Sequence, residues 1–384
     1  MEAIRLHPAP PTSPNPYSPT NPAPATALHL DAQIPIPKPS RPGELLIRVH
    51  ATTIVRDMLA WPETYHHDYA IPGNDLAGTV IEVFDNDSSS SSRAFHPGDE
   101  VLGMTHADRA ATWAEYTVAT AEEVTGKPAA LSWAAAAGLP LSALTAYEAL
   151  FVHAGVVARP SIEDAVRNAT RKKLRFSSHP RSASCGGELD APHAPQAPQA
   201  PQVRILVTGA AGAVGIHLVQ LASAVAGAHV VAATSSDARN REFLRGLGAD
   251  ETVEYADLEA MTQQRQAGFD VVVDAVGGEV LARCWGYVKA GGALISVDSS
   301  SFDFVERHRE RGIGREDVRA LFFVVQGGGE ELRWLAGLAG AGALVSLVNR
   351  TFPFERVREA YEFANGSTVK HTYTRKFISH HPSK

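Results

Sequence analysis

The sequence predicts an α/β protein of two domains, a β-barrel-like domain and a doubly wound parallel sheet. A glycine-rich turn over residues 209–215 joins a short β-branched strand to an amphipathic helix, as in the first half of a βαβ unit. Several short strands separated by turns occupy the first third of the chain, which is typical of a small barrel. From residue 229 onward, apolar strands alternate with helices, as in a sheet covered on both faces.

In the first third of the chain, β-branched and alternating runs predict five strands, at 1–7, 44–55, 71–84, 96–104 and 111–119. The proline-rich tract 8–24 cannot pair inside a sheet and is expected on the surface. The serine run 88–92 is expected to form a hairpin tip, and Ser132 is expected to cap the alanine-rich helix that follows.

The segment 159–202 interrupts this pattern. It is rich in Pro, Ser, Arg and Ala, repeats APQ near its end, and carries a basic run at 171–175. Such a composition buries too little apolar surface to offset the entropy of ordering, so we expect this insert to be disordered. The basic run is expected to lie in a solvated loop, and a targeting patch is left open as the alternative.

Beyond the insert, the apolar runs predict strands at 203–207, 229–234, 251–255, 269–278, 291–300 and 321–326, with helices between them. A helix after residue 330, a strand at 344–349, a helix within 352–366 and a last strand at 372–379 are expected to follow. This alternation predicts the doubly wound sheet.

The composition of the chain limits the cellular compartments and the kinds of partner that are expected. A net charge of −7 argues against nucleic acid, and the expected partner is a small-molecule substrate. Two cysteines cannot supply a disulfide framework or a four-cysteine zinc site, which indicates a reducing compartment. No charged segment followed by an apolar core opens the sequence, so we expect a cytoplasmic protein. The apolar run 133–158 contains Gly138, Pro140 and Glu148 and is expected to be a buried helix rather than a membrane span.

The glycine-rich turn predicts a dinucleotide-binding site. Gly209, Gly212 and Gly215 stand where a β-carbon would obstruct the turn, the approach of a pyrophosphate or the packing of helix on strand. The free N–H groups and the positive end of the following helix attract an anion. We therefore expect the pyrophosphate beside six residues, Gly209, Ala210, Gly212, Ala213, Val214 and Gly215.

The end of the second strand indicates which dinucleotide binds. An NAD-specific fold carries an acidic side chain there, about 20 residues past the glycines, for the ribose hydroxyls. This chain has Ser235 and Ser236 instead, and their hydroxyls together with Arg239 and Arg241 can accept a 2′-phosphate. The sequence therefore predicts NADPH (NADP+) rather than NADH, and Asp237 is the nearby charge that opposes this choice.

Eight segments, taken together in their order along the chain, resemble the medium-chain dehydrogenase/reductase superfamily in its zinc-free quinone oxidoreductase-like and enoyl reductase branch. They are IPGNDLAGTV, HPGDEVLGM, WAEYTVA, LPLSALTAYEAL, VTGAAGAVG, FLRGLGADETVEY, VVVDAVGG and FPFERVREAYEFANG. The resemblance implies a GroES-like β-barrel catalytic domain at 1–140, to which 340–384 return, and a Rossmann NADP-binding domain at 141–339 that contains the insert. Relatives commonly dimerise by joining Rossmann sheets edge to edge, and the sequence leaves a homodimer open.

The resemblance also implies roles around the cofactor. Tyr255 matches a tyrosine that flanks the adenosine end, with a core tyrosine as the alternative. Two further segments match those that border the nicotinamide, although from the residues alone both are simple strand ends. They contribute Val276, Gly277, Phe322, Phe323 and Val324.

The resemblance further predicts that no metal is bound. Zinc-containing relatives carry a cysteine at the position of Ile54 and Gly-His-Glu at 73–75, where this chain has Gly-Asn-Asp. An aliphatic side chain cannot coordinate zinc, and a site that lacks two of its three protein ligands does not hold the ion. Many quinone reductases of the branch carry asparagine at the position of Ile54, which argues against a quinone substrate.

Without a metal, the nicotinamide supplies hydride, while side chains and backbone amides stabilise charge and deliver a proton. This chemistry suits a conjugated C=C bond, whose β-carbon accepts the hydride and whose α-carbon is then protonated. Tyr65 matches a cleft tyrosine of zinc-free relatives and is the expected proton donor or oxyanion partner, unless it only packs on Trp61. Asp57 and Thr145 also match cleft positions; the structural alternatives are an Asp57–Arg56 pair and a threonine that packs within its helix.

Three functions stay open from the sequence. The first is an NADPH-dependent reductase of an activated C=C bond (an enone or enoyl group) or a quinone. The others are a zinc-independent carbonyl/alcohol oxidoreductase and a non-catalytic NADPH-binding protein.

Overall fold

The structure, a computed structural model, describes residues 1–84, 95–156, 160–177, 202–265, 268–366 and 376–379. The chain forms two compact units. The first unit comprises Met1–Glu148, Ala211–His217 and Val324–Lys384, and the second comprises Ala149–Ala210 and Leu218–Phe323.

The first part of the chain is rich in strands: β1 (Ala3–Leu6), β2 (Leu28–Asp31), β3 (Glu44–Ile54), β4 (Asp75–Val83), β5 (Glu100–Met104), β6 (Tyr116–Thr120) and β7 (Val124–Gly126). Helices α1 (Trp133–Ala137), α2 (Pro140–Tyr147) and α3 (Ile162–Ser177) follow, and a π-helix (Glu148–His153) continues α2. The hydroxyl oxygen of Ser132 caps α1, as predicted, by accepting a hydrogen bond from the amide of Ala135 at 3.2 Å.

The next part alternates strands with helices: β8 (Arg204–Val207), α4 (Ala213–Gln220), β9 (His229–Thr234), α5 (Asp237–Gly246), β10 (Glu251–Glu254), α6 (Leu258–Arg265), β11 (Phe269–Asp274), α7 (Gly278–Cys284), β12 (Val288–Ser296), α8 (Phe304–Glu310) and β13 (Arg319–Phe322). A second π-helix (Leu221–Val225) extends α4. The remaining elements are α9 (Gly329–Gly340), β14 (Arg350–Pro353), α10 (Val357–Asn365) and β15 (Lys376–Ser379).

Six parallel strands form the sheet of the second unit, in the order β10-β9-β8-β11-β12-β13. Because all six run in one direction, their carboxyl ends lie along one edge of the sheet. Parallel strands in this order, joined by helices, are the doubly wound arrangement of dinucleotide-binding proteins. The predicted parallel sheet is therefore confirmed.

Seven strands form the main sheet of the first unit, in the order β14-β15-β3-β4-β5-β7, with β6 also paired to β3. The strands β1 and β2 form a separate antiparallel pair. Near the other end of the chain, β15 pairs antiparallel with β3, so strands from both ends of the chain share one sheet.

Each unit buries its own apolar core. In the first unit, Trp113 and Phe352 are fully buried in a cluster that includes residues of β1 and α10. In the second, Phe269, Trp285 and Phe304 are buried against the parallel strands. Burial of each such side chain contributes about 1.5–3 kcal/mol.

The units divide the chain at 148/149 and 323/324 rather than at the predicted 140/141 and 339/340. The difference arises because α2 packs against α9 and α9 packs against β7, so both helices belong with the strands of the first unit. The beginning of α4, Ala211–His217, is also grouped with the first unit.

The prediction of disorder throughout the insert 159–202 is wrong for Ile162–Ser177, which form α3. The amide of Asp164 donates to the hydroxyl of Ser161 at 3.1 Å, which caps the helix, and Ala165 and Ala169 are buried on one face. Residues 159 and 178–201 lie outside the described residues, as does the serine run 88–92. The strand predicted at 344–349 is not formed; β14 begins at Arg350 instead.

The run Trp133–His153 is long and apolar enough to cross a membrane by length and composition alone, but 72% of its most apolar window is buried in the structure. Buried helices of folded domains share this composition. Its charged residue, Glu148, accepts hydrogen bonds from the amides of Gln326 at 3.1 Å and Gly327 at 2.8 Å. Burial raises the pKa of Glu148, and the two amide donors offset part of the cost of burying its carboxylate.

Candidate functional site

The glycine-rich turn lies at the carboxyl end of β8. Gly209 has a φ of +62°, and a β-carbon there would lie 3.0 Å from the carbonyl oxygen of Ala275 and 3.1 Å from the Cγ2 atom of Val276. Glycine is therefore required both by the backbone conformation and by the close approach of the chain after β11. The structure thus brings Gly209 and Val276, both predicted to bind the cofactor, close together.

Tyr255 is hydrogen-bonded to this turn. Its phenol oxygen accepts a hydrogen bond from the amide of Gly209 at 3.0 Å, and its own amide donates to the carbonyl of Thr234 at 3.2 Å. Burial raises the pKa of Tyr255, so the phenol stays neutral at physiological pH. Tyr255 thus joins the glycine turn to the end of β9, where the hydroxyl residues begin.

The residues predicted to bind a 2′-phosphate follow β9. Ser235 and Arg239 are exposed and Ser236 is half-buried. Arg241, by contrast, is paired with the carboxylate of Asp237 one helical turn before it. Because that pairing offsets the charge of Asp237, the carboxylate opposes a bound phosphate less than the sequence suggests.

The first turn of α4 contains the other predicted pyrophosphate residues. The helix begins at Ala213, and the amide of Ile216 donates to the carbonyl of Gly212 at 3.1 Å. The amides of the residues before Ile216 belong to the turns that open the helix, where intrahelical acceptors are lacking. Such amides can bind an anion; they come from Gly212, Ala213, Val214 and Gly215.

The two segments assigned to the nicotinamide differ in how the structure places them. Gly277 is buried, has a φ of +74°, and leaves no room for a β-carbon because the carboxylate of Asp298 fills that space. Phe322 ends β13 at the same edge of the sheet, and the ring of Phe323 packs on His153 with centroids 4.2 Å apart. Val324 is 46% exposed and begins the last segment of the first unit.

Tyr65 has a structural role in this geometry. Its phenol proton is donated to the carbonyl of Leu59, and its oxygen accepts the amide proton of Ala23 at 2.9 Å. The ring packs on the apolar core of the first unit with Trp61. Because its only proton is already given to a backbone carbonyl, this arrangement does not support Tyr65 as a proton donor to substrate.

Asp57 and Thr145 are also engaged by the protein itself. A carboxylate oxygen of Asp57 lies 3.0 Å from Nε of Arg56, and its amide donates to the side chain of Asn365 at 3.0 Å. Thr145 donates its hydroxyl proton to the carbonyl of Leu141 at 2.6 Å, one turn earlier in α2. These are the contacts that the structural alternatives predict for the two residues.

The side chains at the positions that correspond to zinc ligands in relatives are apolar or already hydrogen-bonded within the protein. Ile54 is buried and apolar, and the side-chain nitrogen Nδ2 of Asn74 donates to the carbonyl of Thr105 at 3.3 Å. Asp75 accepts the hydroxyl proton of Thr53 at 2.6 Å and the amide proton of Leu141 at 2.7 Å. Among the residues that the structure describes, no group of three His, Cys, Asp or Glu side chains is arranged to hold a metal.

One buried acid at the sheet edge was missed by the sequence analysis. Asp274 ends β11 and is fully buried, and it accepts hydrogen bonds from Thr208 and Ser296, which follow β8 and end β12. The signal was present in VVVDAVGG, since an acidic residue directly after a run of valines must find buried donors. Thr208 and Ser296 lie 66 and 22 residues away in sequence, so these two partners carry no local signal.

The chain matches two protein families. One is described as "Alcohol dehydrogenase GroES-like domain" and matches residues 41–129; the other is described as "Zinc-binding dehydrogenase" and matches residues 247–369. A protein of Arthroderma benhamiae named "Probable zinc-binding oxidoreductase, mitochondrial" is 33% identical over 353 residues, which cover 90% of this chain and 92% of that protein. The "2-methylene-furan-3-one reductase" of Solanum lycopersicum is 30% identical, over 78% of this chain and 63% of that protein.

Solved structures share the fold. The quinone oxidoreductase from Coxiella burnetii aligns with a TM-score of 0.71 and 23% identity over 99% of both chains. The CurK enoyl reductase aligns with a TM-score of 0.66 and 20% identity, also over 99% of both chains.

Proposed function

This chain is an oxidoreductase of the medium-chain dehydrogenase/reductase superfamily, and from that premise we propose that it uses NADPH to reduce an activated carbon–carbon double bond or a quinone without a metal ion. The observation that carries the proposal is the meeting of Gly209, Tyr255 and Val276 at the carboxyl edge of the parallel sheet. In doubly wound folds this edge is where a dinucleotide binds.

The residues at this edge suit a phosphorylated dinucleotide. Taken by themselves, the backbone amides that open α4, which are grouped with the first unit, are of the kind that holds a pyrophosphate in other nucleotide-binding proteins. Ser235, Ser236 and Arg239 would hold the 2′-phosphate, with a positive charge and two hydroxyl donors. Val276 and Gly277 would border the nicotinamide. When bound, the dinucleotide supplies the hydride.

The groups that the proposal assigns to the site favour a conjugated substrate. The proposal assigns no metal to the zinc positions, where Asn74 and Asp75 are already hydrogen-bonded within the protein, so no step of it uses a Lewis acid to polarise an isolated carbonyl. In a conjugated substrate the charge that develops after hydride transfer is spread over an enolate or a hydroquinone anion, which backbone amides can stabilise. The names of relatives that reduce a methylene-furanone or a quinone are consistent with this class.

The proposal does not use Tyr65 as the proton donor, since its hydroxyl is bound on both sides by backbone groups. The enolate left after hydride transfer takes its proton from water instead. Neither Asp57 nor Thr145 is assigned a chemical step, because each is engaged within the protein. What these residues do instead is fix the segments around them.

The test uses the full chain. NADPH binding is measured by fluorescence titration, and NADPH oxidation is then followed with an enone, a quinone and a simple ketone. For the enone, transfer of deuterium from labelled NADPH to the β-carbon, seen by NMR, is the expected result. Turnover of the ketone alone would favour carbonyl reduction, and tight binding without any turnover would favour a non-catalytic NADPH-binding protein. Either outcome contradicts the proposal.

A further inference from the structure

The carboxyl ends of three neighbouring strands, β8, β11 and β12, meet around one carboxylate. Asp274 is the last residue of β11, and its side chain has no exposed surface. Burial raises the pKa of Asp274, because surroundings without water disfavour the charged form of a carboxyl unless hydrogen-bond donors compensate.

The donors come from all three strand ends. The hydroxyl of Thr208 lies 2.5 Å from Oδ1 of Asp274, and the amide of Gly277 donates to Oδ2 at 2.8 Å. The hydroxyl of Ser296 donates to the same Oδ2 atom at 3.3 Å. One carboxylate therefore links the glycine turn after β8, the segment after β11 and the end of β12.

The direction of the bond from Thr208 follows from a further contact. The amide of Ala275 donates to the hydroxyl oxygen of Thr208 at 3.3 Å. Since that oxygen accepts from Ala275, its own proton is available for Asp274. The side chain of Thr208 thus contacts the chain at the end of β11 twice, through the carboxylate of Asp274 and through the amide of Ala275.

We propose that Asp274 is a positioning residue for the dinucleotide, which sets the spacing between the glycine turn and residues 275–277 by holding Thr208, Gly277 and Ser296. This inference rests on the proposed function. The spacing matters because a β-carbon on Gly209 would lie only 3.0 Å from the carbonyl oxygen of Ala275 and 3.1 Å from Cγ2 of Val276, so a shift of either segment closes or opens the edge where the dinucleotide would lie.

Asparagine cannot replace the carboxylate here. Its single acceptor oxygen can serve one side of the site, and its NH2 group then faces an N–H or O–H donor on the other. A buried donor is left without an acceptor, and the strand ends are released from one another. Valine in place of Thr208 removes the link to Ala275 and Asp274 with almost no change in shape, whereas serine keeps the hydroxyl.

The matched control lies at the other end of β11. Asp270 accepts hydrogen bonds from the amide of Arg204 at 2.8 Å and from Nζ of Lys289 at 2.8 Å. It is an acid on the same strand with backbone and side-chain donors, but it lies at the amino end, away from the proposed dinucleotide edge. Asp270→Asn therefore tests loss of stability without loss of the site.

The experiment measures the dissociation constants of NADPH and NADH by fluorescence titration, and the Tm of each folded variant, for Asp274→Asn, Thr208→Val, Thr208→Ser and Asp270→Asn. We expect Asp274→Asn and Thr208→Val to weaken both dinucleotides by about tenfold or more, equivalent to about 1.4 kcal/mol. Thr208→Ser is expected to restore the wild-type value within about twofold. Asp270→Asn is expected to lower the Tm and leave both dissociation constants within about twofold.

Weakening by Asp270→Asn to the same extent, or failure of Thr208→Ser to restore binding, would overturn the inference. If Asp274→Asn does not fold, the two Thr208 variants decide the question alone. If the wild type binds NADPH and Thr208→Val binds it with the same affinity, the inference is overturned and the proposed function stands. A wild-type chain that binds neither dinucleotide would overturn both.

Discussion

The phenol oxygen of Tyr65 lies 2.9 Å from the backbone nitrogen of Ala23 and accepts its proton. Tyr65 gives its own proton to the carbonyl of Leu59. One side chain therefore ties the end of the proline-rich tract to the loop after β3. This relationship changes what a substitution of Tyr65 is expected to do.

Tyr65→Phe is expected to lower the free energy of unfolding by about 1–3 kcal/mol, because a partly buried amide and carbonyl lose their partner. Urea unfolding at neutral pH measures the change. Tyr69→Phe is the control, since Tyr69 contacts Arg5 and His7 through its ring, which the substitution keeps. A variant as stable as the wild type, with slower reduction of an enone, would restore Tyr65 as a catalytic residue.

The stability that Tyr65 contributes is expected to depend on pH at the alkaline end. Burial raises the pKa of Tyr65 above its ordinary value of about 10. The contribution is therefore complete below about pH 10 and is lost as the pH rises through the folded-state pKa. Other buried tyrosines contribute equally to the pH dependence of wild type and of Tyr65→Phe, so their effects cancel in the difference. The difference in unfolding free energy between the two proteins should therefore shrink above about pH 10. A difference that stays constant in urea titrations at rising pH would contradict this.

Gly209→Ala is expected to weaken NADPH binding by about tenfold or more, since the added methyl group meets the carbonyl of Ala275 and shifts the turn. Gly227→Ala is a matched control: its φ is +63°, close to that of Gly209, but a β-carbon there has no atom within 4 Å. Both variants should lose about 1 kcal/mol of stability from the backbone strain, and only Gly209→Ala should lose affinity. Equal affinities in a fluorescence titration would remove the turn from the binding site.

Arg239→Ala is expected to raise the ratio of the NADPH and NADH dissociation constants by about tenfold, through loss of a charge beside the 2′-phosphate. The ratio cancels effects on the fold that act on both dinucleotides. Arg245→Ala, on the last turn of the same helix, should leave the ratio unchanged. An unchanged ratio in Arg239→Ala, or a wild-type chain that prefers NADH, would contradict the assignment of NADPH.

Dialysis of the purified chain against EDTA is expected to leave its Tm and its NADPH affinity unchanged, because the side chains at the zinc positions are apolar or already hydrogen-bonded. Elemental analysis before dialysis provides the control. One tightly bound zinc per chain, with a fall in Tm on its removal, would contradict the metal-free proposal.

Much of the fold follows from patterns that are local in the chain. Strands such as β9 and β11 are largely continuous apolar runs. A glycine is required at position 209 because its φ is positive. The helix α3 was missed because its surroundings are low in complexity, although Ser161 and the spacing of Ala165 and Ala169 are helix signals.

The candidate site was harder to predict, because its contacts join distant parts of the chain. The role of Tyr65 depends on Ala23, which is 42 residues away, and Asp274 meets Thr208 at a separation of 66 residues. No periodicity encodes such pairs; they exist only once the sheets are formed. The glycine turn was predictable because its requirement is set within a few residues.

The hydrogen bonds of Asp75 bear on how such a protein changes over evolutionary time. Its carboxylate already connects β3, through Thr53, to the start of α2, through Leu141. A carboxylate that turned toward a metal ion would lose the geometry of one or both of these bonds. Recruiting Asp75 as a ligand would therefore cost stability where β3 meets α2, in addition to requiring further ligands.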